Sequence, residues 1–194
     1  QIVAIGPADA LTYSSATPVR DLSGATILPG FVNAHVHVNA LTDEQLRQWT
    51  RAGVTTLRDL ASPSDLIARR DQLAAGGDPA LPRLLVSRPL VTVPGGHPFQ
   101  VSSAALRVNA VAVSGVADAQ ATTERLLASG IDQIKIAVSG RTDVSWPELS
   151  DAEIQAITET ARAYGARVSA HVDRASGLRR ATRNGIHDAA HAPR

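Results

Sequence analysis

Two histidines one residue apart, His35 and His37, stand in the apolar run Phe31-Val32-Asn33-Ala34-His35-Val36-His37-Val38. Alternate side chains of an extended chain share a face, so both imidazoles point the same way. Side by side near a strand end, two neutral imidazoles form half of a site for Zn2+ or another first-row divalent ion. The alternative is a pair of hydrogen-bonded polar residues near the surface. His171 and His191 stand near the ends of two later strand-like runs, 20 residues apart. That spacing is one strand-plus-helix repeat, so both reach the same end of a parallel sheet. One strand-end histidine is usually structural; four of the chain's six at corresponding ends are harder to explain that way.

Lys135 adds a second kind of chemistry. The chain has 18 arginines and this single lysine, inside the apolar strand Ile134-Lys135-Ile136. A buried ammonium beside bound metal is strongly disfavoured. An amine that has reacted with CO2 is different: the resulting carbamate is an anionic pair of oxygens able to bridge two metal ions. Arginine cannot form it, which accounts for lysine at this one position. A strand-end lysine reaching solvent, or one paired with an acid, is the plainer reading.

His97, in Gly95-Gly96-His97-Pro98, either contacts substrate at a pocket mouth or is a turn residue. His187, at the start of the last strand, faces the opposite end of the sheet and reads as structural. Asp59 and Asp173 read as loop or capping residues, with a supporting role behind the metal ligands as the alternative.

The elements that must position these groups alternate from Phe31 onward. Strands are predicted at 31–38, 54–58, 83–87, 131–138, 167–172 and 186–190. Helices are predicted at about 42–52, from Ser62 to 76, 117–129, 150–164 and 175–184. Thr42 with Gln45 and Ser150 with Glu153 are spaced as capping boxes; Ser62-Pro63 reads as an N-cap followed by proline at the first helical position. The stretch from Pro89 to Gly115 reads as one long irregular loop, a length that is often functional. Six strand–helix units imply a parallel sheet, either an open doubly wound sheet or part of a (β/α)8 barrel. Residues 31–194 give about 27 residues per unit, so eight units would need roughly 220, near the ~250 of the barrel. Residues 1–30 read as a fragment of a small β subdomain, with short strands at Gln1–Gly6 and Ala25–Leu28.

Composition removes several functions. With no cysteine, disulfides, thiolate zinc sites, Fe–S clusters and a thiol nucleophile are excluded. A net charge of +1 indicates neither nucleic acid nor an anionic membrane as partner. No run of 18 uncharged apolar residues is present to span a bilayer. No Gly-rich fingerprint follows an early strand, so a dinucleotide site is not expected. The chain has no methionine and starts at Gln1, without a signal peptide. It reads as a piece of a longer protein, and the end at Arg194 suits a trypsin-like cut. Its compartment stays open, with the cytoplasm favoured.

Taken in order, these motifs resemble the amidohydrolase superfamily. Leu28-Pro29-Gly30-Phe31-Val32-Asn33-Ala34-His35-Val36-His37 is similar to the family's opening metal motif, and Gly53-Val54-Thr55-Thr56-Leu57-Arg58-Asp59 to its second strand. Ile134-Lys135-Ile136 resembles the bridging-lysine strand. Ser169-Ala170-His171-Val172 and Ala189-Ala190-His191 resemble the third and fourth histidine sites. The branch indicated is imidazolonepropionase-like and Xaa-Pro dipeptidase-like, with the lysine favouring the binuclear, prolidase-like side. The resemblance implies α/β architecture: about six units of a (β/α)8 barrel, residues 31–194, after part of a small β-sandwich, residues 1–30. It implies two Zn2+ ions, one held by His35 and His37 and one by His171 and His191, bridged by a carbamate on Lys135. A hydroxide activated by the metals would hydrolyse an amide, cyclic amide or dipeptide C–N bond of a small-molecule substrate contacted by His97. A homo-oligomer is implied as well. The family's acid/base aspartate ends the eighth strand and is expected beyond residue 194. The 194-residue piece alone is therefore expected neither to fold stably nor to turn over. Lactone or phosphoester hydrolysis at the same centre is the alternative activity; a non-catalytic metal-binding module is the alternative of another class.

Overall fold

The computed structural model describes residues 2–38, 41–61, 66–100, 107–139 and 145–193. The first unit runs from β1 (Phe31–Val36) through helix α1 (Asp43–Arg51) to β2 (Val54–Leu60). Thr42 begins α1 with the expected capping box: its hydroxyl accepts from Gln45 N–H, and the Gln45 side chain accepts from Thr42 N–H. Gly53, at φ +86°, turns the chain from helix to strand in the left-handed region that glycine enters at little cost. Gly30 is required for contact: a Cβ there would lie 2.1 Å from Thr55 Oγ1 on the neighbouring strand.

Helix α2 (Leu66–Gly76) leads to β3 (Arg83–Ser87). Ser62 and Pro63, the predicted start of α2, lie outside the described residues. The predicted long loop is partly regular structure, which is a correction. It holds β4 (Leu90–Thr92) and β5 (Ala110–Ala112), paired in parallel with each other, and β4 also pairs with β6. Pro89, with no N–H to donate, ends the β3 ladder. The buried Leu90-Val91-Thr92 run then resumes as a strand, with Leu90 N–H donating to Asn109 C=O at 2.8 Å. The prolines and glycines on either side hide that short strand in the sequence.

Helix α3 (Val116–Ala128), β6 (Gln133–Ala137), α4 (Asp151–Ala163), β7 (Arg167–His171), α5 (Ala175–Arg183) and β8 (Asp188–Ala189) complete the order. Ser150 caps α4 with Glu153, as the spacing predicts, and the Glu153 carboxylate also accepts from Gly115 N–H at 2.7 Å. Losing a cap hydroxyl costs about 1 kcal/mol. Ser150→Ala is therefore expected to lower chemical-denaturation stability by about that amount and leave metal content unchanged.

All strand pairs are parallel, in the orders β1-β2-β3 and β5-β4-β6-β7-β8. The two groups adjoin where Asp132, just before β6, donates its N–H to Val86 C=O on β3 at 2.9 Å. β3 and β4 thus act as two halves of one bent strand; with β5 set beside β4 off this path, six strands follow the curve from β1 to β8. Laid flat, six strands would place β1 and β8 roughly 24 Å apart at ~4.8 Å per step. Instead His35 Nδ1, on β1, lies 2.8 Å from Ala190 C=O, just past β8. The sheet is therefore curled as an incomplete (β/α)8 barrel, and the open doubly wound alternative is excluded.

Strand alternation decides what the curl encloses. Ile134, Ile136 and Val138 face outward with Val168, Ala170 and Val172 into the core under α3, α4 and α5, which adds Ile154 and Ile157. On the first strands Leu57, Leu84, Val86 and Val38 pack with Leu46 of α1 and Leu66 of α2. The intervening residues, including Arg58, Lys135 and Ser169, face inward.

Residues 2–30 differ from expectation. They contain a short 3-10 turn at Ala8–Ala10 and no strand. Ile2, Val3, Ile5, Ile27 and Leu28 are exposed. A strand needs a partner for its backbone N–H and C=O groups, and among the described residues none lies alongside this segment.

Candidate metal centre

Five of the six predicted site residues come from strands or strand ends and one from a loop, and all six meet in one cavity. A space of about 290 Å3 is lined by His35, His37, His97, Lys135, His171 and His191, with Leu60, Ala61, Leu90 and Pro98 as apolar wall. A larger groove of about 470 Å3 lies outside the barrel beside α2, lined by residues such as Arg70, Leu73 and Asp132. It gathers no comparable set of donors.

His35 and His37 place their rings edge to face, centroids 5.2 Å apart. Hydrogen bonding to Ala190 C=O assigns the His35 proton to Nδ1 and leaves the Nε2 lone pair free. Regular pairing of the last strand stops at Ala189, and His191 just beyond it turns into the cavity. There His191 Nε2 meets His171 Nδ1 at 2.7 Å. One proton shared between those nitrogens marks a point on which two lone pairs converge.

Burial disfavours the protonated form of His35, His37, His97 and His171. It lowers His35 to about 4, helped by the nearby Lys135 charge. His171 falls to about 2, first by burial and then by repulsion from His97 and His191. His37 and His97 are lowered chiefly by burial as well. A neutral imidazole is the form that binds metal, so the donor set fits divalent cations.

Lys135 is 3% exposed, and its Nζ has no hydrogen-bond partner among the described residues. Burial pulls its pKa from the usual 10.5 to about 7, against the attraction of Asp188. An orphaned, buried amine facing four imidazoles fits a group that is chemically modified when the site is filled.

His97 lies flat against His171, centroids 4.1 Å apart and planes 1° from parallel. It also stacks near Trp146 at 6.0 Å. The turn in which it lies faces the cavity. His187 is structural, as expected: its Nδ1 accepts from Val168 N–H at 3.0 Å at the start of β7. Asp59 accepts from the N–H groups of Val38 and Ala61 at the ends of β1 and β2, and its charge also acts on His37. Asp173 joins the histidines rather than capping a helix. Its carboxylate lies 3.3 Å from His171 Nε2, and His171, Asp173 and His191 offer ligand atoms within 4.8 Å of one another.

Sequence reasoning missed Arg58 and Asp188. Both face the barrel interior beneath the histidines, joined at 2.8 and 2.9 Å. Arg58 at an inward strand position carries the same signal as Lys135, a charge in an apolar strand, but it is hidden among many arginines.

Residues 26–193 match the Amidohydrolase family. The chain belongs to the amidohydrolase family. Solved structures agree with this assignment. A crystal structure of an amidohydrolase superposes with a TM-score of 0.73 and 27% identity, covering 93% of this chain and 52% of that one. A Bifidobacterium longum protein assigned as a prolidase gives 0.65 and 29%, covering 83% and 39%. A Xaa-Pro dipeptidase with methionine bound in its active site shares the fold at 0.63 and 22%, covering 83% and 47%. The chain thus spans about half or less of these structures. No curated protein matches it. Among the described residues of this amidohydrolase no helix is long and apolar enough to cross a membrane.

Proposed function

We propose that this amidohydrolase chain carries the metal centre of a hydrolase of C–N bonds in amides, cyclic amides or dipeptides. The observation that carries the reading is the convergence of four imidazoles on a buried lysine whose amine has no hydrogen-bond partner among the described residues. His35 and His37 would hold one divalent ion and His171 and His191 a second, both expected to be zinc. Lys135 would join them as a carbamate. In that modification the Nζ lone pair attacks CO2, a C–N bond forms, one C=O pair moves to oxygen and an N–H proton leaves to solvent. Bound metals would supply Lewis acidity and a lowered pKa for water.

The chain's own residues shape what can react. The Ala190 carbonyl fixes the ring and tautomer of His35. Leu60, Leu90 and Pro98 keep water from one side of the cavity. His97, with Nδ1 buried and unpartnered, is placed to hold a polar group of the substrate. A cavity of this size suits a small molecule, and the prolidase-assigned neighbour supports the dipeptide end of the range.

The test is a parallel assay of the full-length protein on dipeptides, cyclic amides, lactones and phosphotriesters, before and after chelation. Amide or dipeptide turnover is expected to fall at least about 100-fold on chelation and to return with Zn2+. Preferential turnover of lactones or phosphotriesters would overturn the C–N assignment. Metal retention without turnover of any class would indicate a binding module.

A further inference from the structure

The Lys135 amine owes its freedom to an arrangement one layer deeper in the barrel. Lys135 on β6 is paired in register with Ser169 on β7, and Ser169 with Asp188 on β8. All three face inward in one row, so Asp188 is the carboxylate two strands from Lys135. It is fully engaged elsewhere. Arg58, from β2, donates Nη1–H to Asp188 Oδ2 at 2.9 Å and Nη2–H to Oδ1 at 2.8 Å. The Ser169 hydroxyl is shared between the same two oxygens at 2.9 and 3.0 Å. A third Arg58 donor, Nε–H, reaches Ala34 C=O of β1 at 2.7 Å. The planar guanidinium suits this two-pronged grip, and its charge is permanent.

We propose that Arg58 is a positioning residue: by occupying both oxygens of Asp188 it keeps that carboxylate from drawing the Lys135 amine out of the metal cavity. Without Arg58, Asp188 would hold only the Ser169 hydroxyl, and Lys135 would be the cation left in its row. The long lysine side chain would then turn from the cavity towards the barrel floor. This inference rests on the reading of Lys135 as the group that joins the metals. It differs from a clamp role, in which Arg58 merely ties β2 to β8.

Three variants of the full-length protein separate these roles: Arg58→Met, Asp188→Asn and the double variant. Cyanate, small enough to enter the metal cavity, adds to an unprotonated amine there to give a carbamoyl-lysine, and peptide mass spectrometry reads the labelling rate of Lys135 in chelated protein. Metal equivalents, and the 13C carbamate signal after 13C-bicarbonate exchange, are read on untreated protein. Arg58→Met is expected to slow Lys135 labelling at least about fivefold and to lower metal and carbamate together. The double variant breaks the clamp equally but removes the competing carboxylate, so labelling and metal are expected to recover to within about twofold of wild type. Asp188→Asn, which still offers Arg58 an acceptor, is expected to label at or above the wild-type rate, and decides the matter if Arg58→Met fails to fold. Wild-type labelling in Arg58→Met, no recovery in the double variant, or slower labelling in Asp188→Asn would each overturn the proposal. A wild-type protein without carbamate, but with the expected labelling pattern, would instead overturn the bridging role of Lys135 and leave the positioning role standing.

Discussion

Lys135→Ala in the full-length protein is expected to lower kcat/KM by at least about 10^3, close to 4 kcal/mol of transition-state stabilisation. The reason is specific to an anion at this position. On the proposed function, truncation would remove the carbamate, and with it the charge that would let two cations lie near one another. Lys135→Arg keeps a positive charge but cannot react with CO2, so it is expected to be equally inactive. Added acetate or propionate should restore part of the activity of Lys135→Ala, because a free carboxylate can enter the space left by the side chain. It should not rescue Lys135→Arg, whose side chain fills that space. Steady-state kinetics with and without carboxylate, beside metal analysis, checks all three; Lys135→Ala with both metals and full activity would end the bridging role. The same residue should show the opposite sign in stability. Burial lowers the folded-state pKa of Lys135 from 10.5 to about 7. Below pH 7 the metal-free protein therefore buries an ammonium with no hydrogen-bond partner among the described residues. Lys135→Met is expected to stabilise that metal-free form near pH 7 by as much as about 4 kcal/mol, as measured by urea denaturation in EDTA.

Residues that announce themselves by type were legible in the sequence; residues that act through partners were not. His35 and His37 reveal a shared face because a strand has a period of two. Lys135 is conspicuous as the one lysine among 18 arginines, and His171 and His191 by their spacing of one repeat. The capping boxes at Thr42 and Ser150 were equally plain, since each is a local hydrogen-bond pattern. Asp188 is different: its role depends on Arg58, 130 residues away, and on Ser169 across a strand pair. Closure of the curl, seen in His35 against Ala190, is likewise a tertiary event that periodicity cannot report. The errors have local causes. Leu90–Thr92 is too short and too closely flanked by proline and glycine to read as a strand. The short apolar runs at 2–5 and 25–28 read as strands, but among the described residues no neighbouring strand pairs with their backbone.

Chelated protein is expected to lose stability steadily on mild acidification, with the largest single contribution from His171. Its side chain is 16% exposed, and its folded-state pKa lies near 2 against 6.5 for the free group. The folded state thus refuses a proton that the unfolded chain accepts. Above pH 6.5 both states are neutral at His171 and its contribution is constant. As pH falls below 6.5 the unfolded chain gains a proton and the native state does not, so stability declines until the folded pKa is reached. Between pH 6.5 and 4.5, above the range in which most carboxylates titrate, that amounts to about 2 kcal/mol. His35, lowered to about 4, adds to the loss in the same direction. Lys135 carries the trend to the alkaline side: the unfolded chain holds its proton between pH 7 and 10.5 where the folded state has released it, so stability rises with pH across that window. Metal-free protein is accordingly expected to become more stable from pH 4.5 upward, past the usual optimum between pH 5 and 8. Metal-loaded protein should be flatter near neutrality, because bound cations hold the imidazoles deprotonated in place of burial alone. Urea midpoints across pH, with EDTA and with zinc, measure both curves. His171→Asn is expected to remove the steepest part of the acid limb. An unchanged limb in that variant would show that the acid sensitivity arises from groups other than the buried histidine.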